Sequence, residues 1–204
     1  MSIDFLVTAM IVILIPGTGV VYTVATGLSA GRAESVAAAF GCTLGIVPAI
    51  VASVAGLAAV LHTSALLFQL VKYCGVAYLL YLAVMTLREA GPLQIGTAAP
   101  KARSLYAIAR TGCLINVLNP KLSVFFLAFL PQFVDVTAAS ASLHMLALGG
   151  VFMLLTFTVF IVYGLFAAVI GEKVLKSARV LTWMRRTVAA AFAGFGLRLA
   201  LSDR

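Results

Sequence analysis

The stretch GCLINVLNPKLSVFFLAFLPQFV, from Gly112 to Val134, is apolar over a membrane-spanning length, and Asn119-Pro120-Lys121 interrupts it. Pro120 removes a helix hydrogen bond and crowds the preceding turn, so a helix through this stretch must kink or break there. At ~1.5 Å per residue the interruption lies ~12 Å along the stretch, near the middle of a ~30 Å hydrocarbon core. An ammonium group at that depth is costly and usually marks a functional site or a water-filled path. The stretch therefore predicts a broken membrane helix with a polar site near its middle.

The composition indicates an integral membrane protein built as one unit. Of its 204 residues, 63% are hydrophobic and 10% are charged, and the mean hydropathy is +1.16. A soluble domain carries about 25% charged residues. The start, MSIDFLVTAM, contains Asp4 but no Lys or Arg, so it lacks the basic segment of a cleavable signal peptide. We assign it to the first span and expect a single membrane domain over residues 1–204.

Six apolar segments are recognisable, at roughly 4–25, 36–61, 66–87, 112–134, 143–170 and 181–201. A linker with prolines, glycines and basic residues separates the third from the fourth. Since three spans reverse the direction of the chain, we predict an all-α integral membrane protein with six transmembrane helices arranged as two inverted three-helix repeats. Repeat 1 covers about 1–88, a cytoplasmic linker about 89–111, and repeat 2 about 112–204. Helices 1 and 4 are expected to be broken, because each contains a proline at a comparable position.

The basic residues indicate the orientation of these spans. Ten of the fourteen fall in the loops after spans 1, 3 and 5 or at the start of the span that follows: Arg32, Arg88, Lys101, Arg103, Arg110, Lys173, Lys176, Arg179, Arg185 and Arg186. Cytoplasmic loops are enriched in Lys and Arg, so both termini should lie on the outer side. The same placement explains the net charge of +8 without a nucleic-acid partner.

Asn119-Pro120-Lys121 has the features of an anion site. A helix that restarts after a break presents free N–H groups and the positive end of its dipole, and Lys121 adds a full charge. We expect it to hold a substrate carboxylate. Asn116, one turn earlier, and Asn119 could each bind a substrate amine. The alternative is a kinked packing helix whose Lys121 extends to the membrane surface.

Pro16-Gly17-Thr18 is the matching break in span 1. Pro16 frees a backbone carbonyl, Gly17 permits a close approach, and Thr18 offers a hydroxyl to the freed groups. Carbonyls exposed here could hold a substrate ammonium, whereas the alternative is a tolerated kink. The candidate substrate-binding residues are therefore Pro16, Gly17, Thr18, Asn116, Asn119, Pro120 and Lys121.

The glycine, cysteine, histidine and carboxylate positions indicate how the helices pack and which other kinds of site are not expected. Gly41 and Gly45 form a GxxxG pattern that predicts close helix packing, with a sliding surface as the alternative. Cys42, Cys74 and Cys113 are isolated, the two histidines fall in separate turns, and no catalytic motif is present, so we expect no metal, cofactor or enzymatic activity. No carboxylate falls at mid-membrane. Proton coupling could therefore involve Lys121, Asp4 or Asp135, or it could proceed without any protein carboxylate, and the sequence does not choose among these.

The chain resembles the LysE/RhtB family of amino-acid exporters over nearly its whole length. The most specific part is NVLNPKLSVFFLAFLPQFV, from Asn116 to Val134, supported by ILIPGTGVVYTVATGLSAGR, GCTLGI, GVAYLLYLAVMTLR and GFGLRLAL. Two departures concern substrate identity: Thr18 replaces the second proline of Pro-Gly-Pro, and Pro48 follows Gly45-Ile46-Val47 where relatives often carry a histidine.

The resemblance implies a multi-pass protein of the bacterial inner membrane that exports amino acids or their derivatives, driven by the proton-motive force. Its expected partners are a small neutral amino acid, similar to threonine, homoserine or leucine, and the lipid bilayer. The Gly-rich helices permit a homodimer without requiring one. The alternatives are a heavy-metal exporter of the same superfamily and a membrane scaffold without transport activity.

Overall fold

The computed structural model describes residues 2–14, 17–61, 104–136 and 138–170, together with seven isolated positions between 73 and 190. The described ranges contain no strand, so the all-α prediction is confirmed there. The helices are α1 (Ile3–Leu14), α2 (Thr18–Ser29), α3 (Arg32–Leu44), α4 (Val47–Leu61), α5 (Leu105–Val117), α6 (Pro120–Phe129) and α7 (Ala141–Ile170). A short 3-10 turn over Leu130–Phe133 follows α6.

Two helical stretches are long and apolar enough to cross a membrane, namely Arg32–Gly56 and Ala141–Val169. They correspond to predicted spans 2 and 5. Predicted spans 3 and 6 lie outside the described residues, apart from seven isolated positions that are all helical and exposed: Tyr73, Ala77, Leu80, Tyr81, Val84, Arg186 and Ala190. The division of the chain into two repeats and a linker therefore stays a prediction.

The other two described spans are bent pairs of helices. The pair α1 and α2 bends by 53°, and the pair α5 and α6 bends by 54°. The break predicted at Asn119-Pro120 is present, because α5 ends at Val117 and α6 begins at Pro120. The fourth span begins at Leu105 rather than at Gly112, so its first half is longer than predicted. In the first span α1 ends at Leu14 and α2 begins at Thr18, while Ile15 and Pro16 lie outside the described residues.

Pro48 causes a third, milder interruption, between α3 and α4. Proline has no N–H, so the carbonyl four residues earlier, that of Leu44, loses its helical partner. The chain turns at Gly45-Ile46, where the Ile46 N–H donates to the Thr43 carbonyl at 3.1 Å. Pro48 itself lies in the first turn of α4 and is exposed. This departure from the family pattern therefore shapes the backbone of span 2.

The predicted GxxxG packing is confirmed between α3 and α5. A Cβ atom on Gly41 would collide with the backbone of Ala109, and one on Gly45 would collide with the carbonyl of Cys113. The two helices are thus in backbone contact, which only glycine allows at these positions. This contact fixes α5, the helix that leads into the Asn119-Pro120 break, against α3.

The contacts between helices place Arg32 at one end of the bundle and the acids Asp4 and Asp135 at the other. Near one end Gly27 of α2 contacts Gly164 of α7, close to the exposed Arg32. At the other end the Phe5 and Phe133 rings meet with centroids 5.4 Å apart. Arg32, with Glu34 in the same helical turn, therefore lies at the end of the bundle opposite Asp4 and Asp135.

Candidate functional site

The two broken spans meet at their breaks. The side-chain amide nitrogen of Asn119 donates a hydrogen bond to the hydroxyl oxygen of Thr18, at 3.2 Å. These residues are 101 positions apart in the chain. The Pro-Gly-Thr and Asn-Pro-Lys motifs, predicted as matching interruptions, are therefore joined in space.

Asn119 also caps α6, and this corrects part of the predicted anion site. Its side-chain oxygen accepts from the Lys121 N–H at 3.0 Å. Its backbone carbonyl accepts from the N–H groups of Leu122 and Ser123, at 3.2 and 3.3 Å. Pro120 has no N–H to offer. The N–H groups that the break was expected to leave free are thus already bonded to Asn119, so the predicted contribution of the backbone to an anion site is wrong here.

The start of α2 differs from the start of α6. Its N-cap residue is Gly17, which has no side chain and provides no cap hydrogen bond. At the end of α1, the freed Leu14 carbonyl accepts from the Tyr163 hydroxyl of α7 at 3.2 Å. We expected carbonyls freed at the first break to hold a substrate ammonium. The Leu14 carbonyl is not available for this role, because it already accepts a hydrogen bond from Tyr163.

Asn116 is the most deeply buried of the predicted site residues, with 3% of its surface exposed. Its side-chain nitrogen donates to the Cys42 carbonyl at 2.7 Å, which ties α5 to α3. Its side-chain oxygen is buried and accepts no hydrogen bond from any described residue. A Cβ atom on Gly19 would lie 2.8 Å from that oxygen, so the oxygen faces α2.

A small cavity, about 30 Å³ in volume, lies between the two breaks and α7. Four predicted site residues line it, namely Gly17, Asn116, Asn119 and Lys121. Lys121 is half-buried, which fits a side chain that contributes to the cavity wall. Thr18 and Pro120 are exposed and border the site, and Pro16 lies outside the described residues. The structure therefore brings together four of the seven predicted residues in one cavity.

The cavity wall on α7 was missed by sequence reasoning. Phe152, Thr156 and Phe160 line it at four-residue intervals and so share one face of the helix. The Thr156 hydroxyl donates to the Phe152 carbonyl at 2.8 Å, which leaves a largely apolar surface. The signal was weak, because Thr156 is one polar residue in a long apolar run. Further apolar lining residues are Val12, Ile13, Val20, Ile46 and Leu122.

Polar contacts beside the cavity fix the position of Gly19. Its carbonyl accepts from the Thr23 hydroxyl at 2.9 Å, and the Cys42 thiol lies 3.8 Å from the same oxygen. Cys42 is thus a small packing residue at the crossing of α2, α3 and α5, as its isolation in the sequence suggested. Across the described ranges no group of three or more His, Cys, Asp or Glu side chains is close enough to hold a metal ion.

Comparison with known proteins assigns this architecture to a family. The sequence profile of LysE type translocators matches residues 10–203. The chain belongs to the LysE type translocator family. The multi-pass membrane character inferred from composition and from the apolar helices agrees with this membership.

Relatives within the family extend over nearly the whole chain. An uncharacterized membrane protein of Vibrio cholerae is 35% identical, over 96% of this chain and 94% of its own length. A leucine efflux protein of Enterobacter sp. is 27% identical, over 96% of this chain and 93% of its own length. A homoserine/homoserine lactone efflux protein of Salmonella typhimurium is 32% identical, over 64% of this chain and 63% of its own length. No solved structure matches the chain.

Proposed function

We propose that this translocator exports neutral amino acids or their derivatives as a secondary active transporter, and that it holds the substrate carboxylate near Asn119-Pro120-Lys121. The observation that carries the proposal is the cavity at the meeting point of two broken helices, lined by the Lys121 side chain. Broken helices at the interface of transporter repeats commonly form substrate sites.

The lining matches the chemistry of a neutral zwitterion. Lys121 provides a positive charge for a carboxylate, and Asn116 provides a buried neutral acceptor. The α7 wall of Phe152, Thr156 and Phe160 is suited to a short uncharged side chain. The names of two relatives, a leucine and a homoserine efflux protein, support amino acids of this kind as the substrate class.

The cavity has to enlarge during transport. A volume of about 30 Å³ has room for only a few water molecules, and an amino acid needs several times more. Separation of the two breaks would provide that space, and the Thr18–Asn119 hydrogen bond would have to open with it. The similar bends of 53° and 54° support two inverted repeats that could move against one another.

The proposed setting is the bacterial inner membrane, with six spans, both termini outside and the basic loops in the cytoplasm. The position of Arg32 at the end of the bundle opposite Asp4 supports this orientation. The family resemblance supports the proton-motive force as the energy source. A homodimer is compatible with the exposed apolar helix faces, and the site described here is built within one chain.

The experiment is an efflux assay in a bacterial strain that lacks its own exporters of this family. Cells with the gene on a plasmid are loaded with dipeptides, and the release of leucine, homoserine and threonine is followed with and without a protonophore. We expect faster release of at least one of them than in cells with the empty plasmid, and loss of this gain with the protonophore. Equal release with and without the gene, for all three amino acids, would contradict the proposal.

A further inference from the structure

We propose that the side-chain oxygen of Asn116 binds the substrate's ammonium group, so that the transporter selects compounds with a primary amine over plain carboxylic acids. This inference rests on the proposed function, because it assigns a second contact within the same cavity. The observation behind it is a side-chain oxygen that is buried in the protein and accepts no hydrogen bond from any described residue.

The orientation of the Asn116 amide follows from its surroundings. The Cys42 backbone carbonyl, 2.7 Å away, is an acceptor and therefore requires the nitrogen of the amide to face it. The oxygen is then directed to the opposite side, toward Gly19 and the cavity. Rotating the amide would place two oxygens against each other, so the orientation is determined by chemistry.

A buried acceptor that receives no hydrogen bond is unusual in a native protein, and within the described ranges the Asn116 oxygen is such an acceptor. Asn116 is 3% exposed and lies in an apolar bundle, where an unmet hydrogen bond is costly. A ligand with several N–H groups satisfies this oxygen without adding a charge to the protein. The ammonium group of an amino acid is such a donor, and its positive charge strengthens the bond.

Gly19 leaves no side chain on the part of α2 that faces the oxygen. A methyl group at this position would lie 2.8 Å from the oxygen of Asn116 and 3.0 Å from the Phe160 ring. Alanine would therefore fill the space between α2 and Asn116. The carbonyl of Gly19 is already bonded to Thr23, so the backbone at this point is held in place.

The two ends of an amino acid then find different partners. Asn116 precedes the break in span 4 and Lys121 follows it, and both line the cavity. The Asn116 oxygen attracts an ammonium group, whereas Lys121 attracts a carboxylate. A site built around a hydrogen bond strongly rejects an analogue that lacks the partner group. A carboxylic acid without the amine leaves the Asn116 oxygen unbonded and should bind poorly.

The test compares leucine with isocaproate, which has the same carbon chain and carboxylate but no amine. Homoserine and γ-hydroxybutyrate form a second pair. Binding is measured by the ligand-induced rise in melting temperature of the purified full chain, and transport by competition in the efflux assay. We expect each deaminated compound to bind at least about tenfold more weakly than its amino acid, since a hydrogen bond to a charged group is lost.

Two variants isolate the oxygen. Asn116→Leu removes the acceptor, and Gly19→Ala blocks it while leaving Asn116 intact. In both variants we expect the ratio of the affinity for the amino acid to the affinity for its deaminated analogue to fall toward one. A purely structural defect would weaken both affinities and would not change this ratio. Gly150→Ala is the matched control, because a Cβ atom there meets open space. It should keep the wild-type ratio.

The outcomes separate this inference from the proposed function. If the wild-type protein binds isocaproate as well as leucine, or if Asn116→Leu folds and keeps the full preference, the ammonium assignment is wrong while amino-acid export stands. A water molecule is then the ordinary partner of the Asn116 oxygen. If neither leucine nor homoserine is bound or exported, the proposed function fails and this inference fails with it. The comparison of leucine with isocaproate in the wild-type protein tests the ammonium assignment even if both variants misfold.

Discussion

The Thr18 hydroxyl accepts a hydrogen bond from the Asn119 side chain at 3.2 Å, and this bond joins the break of the first span to the break of the fourth. Thr18 is the first residue of α2, the position that Pro120 occupies in α6. Proline is favoured at the first position of a helix, which explains how the family's Pro-Gly-Pro pattern fits the same backbone. The threonine of this chain adds a side-chain link between the two halves at that point.

Thr18→Val tests this link, since valine keeps the shape and removes the hydroxyl. We expect the free energy of unfolding to fall by about 0.5–1.5 kcal/mol. The value should lie near the lower end of this range because the hydrogen bond is exposed. The measurement is the melting temperature of the purified protein, alone and combined with Asn119→Leu in a double-mutant cycle. Thr158→Val is the matched control, because its exposed hydroxyl donates to the Leu154 carbonyl within its own helix. Additive effects of Thr18→Val and Asn119→Leu would show that the two breaks are not coupled.

Asn119→Ala removes both the cap of α6 and the bond to Thr18. The loss of an N-cap costs about 1 kcal/mol, and the start of α6 beside Lys121 should become poorly fixed. We expect efflux to be abolished while the protein still inserts, as judged by its amount in the membrane fraction. Asn119→Asp keeps an oxygen for the Lys121 N–H and should retain the stability of the cap. Equal efflux by the alanine variant and the wild type would exclude this role.

Gly41→Ala tests the backbone contact between α3 and α5. Its methyl group would collide with the backbone of Ala109, and overpacking of this kind costs about 1–3 kcal/mol. We expect a clear fall in melting temperature and in the amount of folded protein, whereas Gly150→Ala should behave like the wild type. A Gly41→Ala variant as stable as the control would mean that the two helices are further apart than described.

The proposed orientation predicts the location of the C-terminus. An alkaline phosphatase domain fused after Arg204 should be active, because this enzyme folds to its active form only on the outer side of the inner membrane. The same domain inserted in the basic linker, after Lys101, should be inactive. An inactive C-terminal fusion and an active linker fusion would reverse the orientation and, with it, the assignment of the basic loops to the cytoplasm.

The break in the fourth span could be predicted from the sequence because proline acts locally. Pro120 removes a helix hydrogen bond whatever surrounds it, and the observed boundary falls at this residue. The contact between Gly41 and Ala109 was half predicted: the glycine spacing indicated a close helix partner, but α5 as that partner emerged only from the fold.

Other parts of the site depend on tertiary structure and could not be derived from the sequence. The amide of Asn116 is oriented by Cys42, a residue 74 positions away. The N–H groups expected to be free at α6 are bonded by Asn119, because an asparagine before proline adopts the extended backbone of an N-cap. The α7 wall around Thr156 carried no motif, since an apolar stripe on a membrane helix is as typical of packing as of substrate contact.

The central claim, a cationic substrate site at the meeting of two broken helices, is tested most directly by Lys121→Met in proteoliposomes. Methionine keeps much of the side-chain length and removes the charge, and Arg110→Met, an exposed cation on α5, is the control for loss of a positive charge. The measurement is counterflow, by equal amounts of reconstituted protein, of the radiolabelled amino acid that the wild type releases in the efflux assay. We predict that the wild type and Arg110→Met exchange this amino acid and that Lys121→Met does not. Wild-type exchange by Lys121→Met would contradict the account.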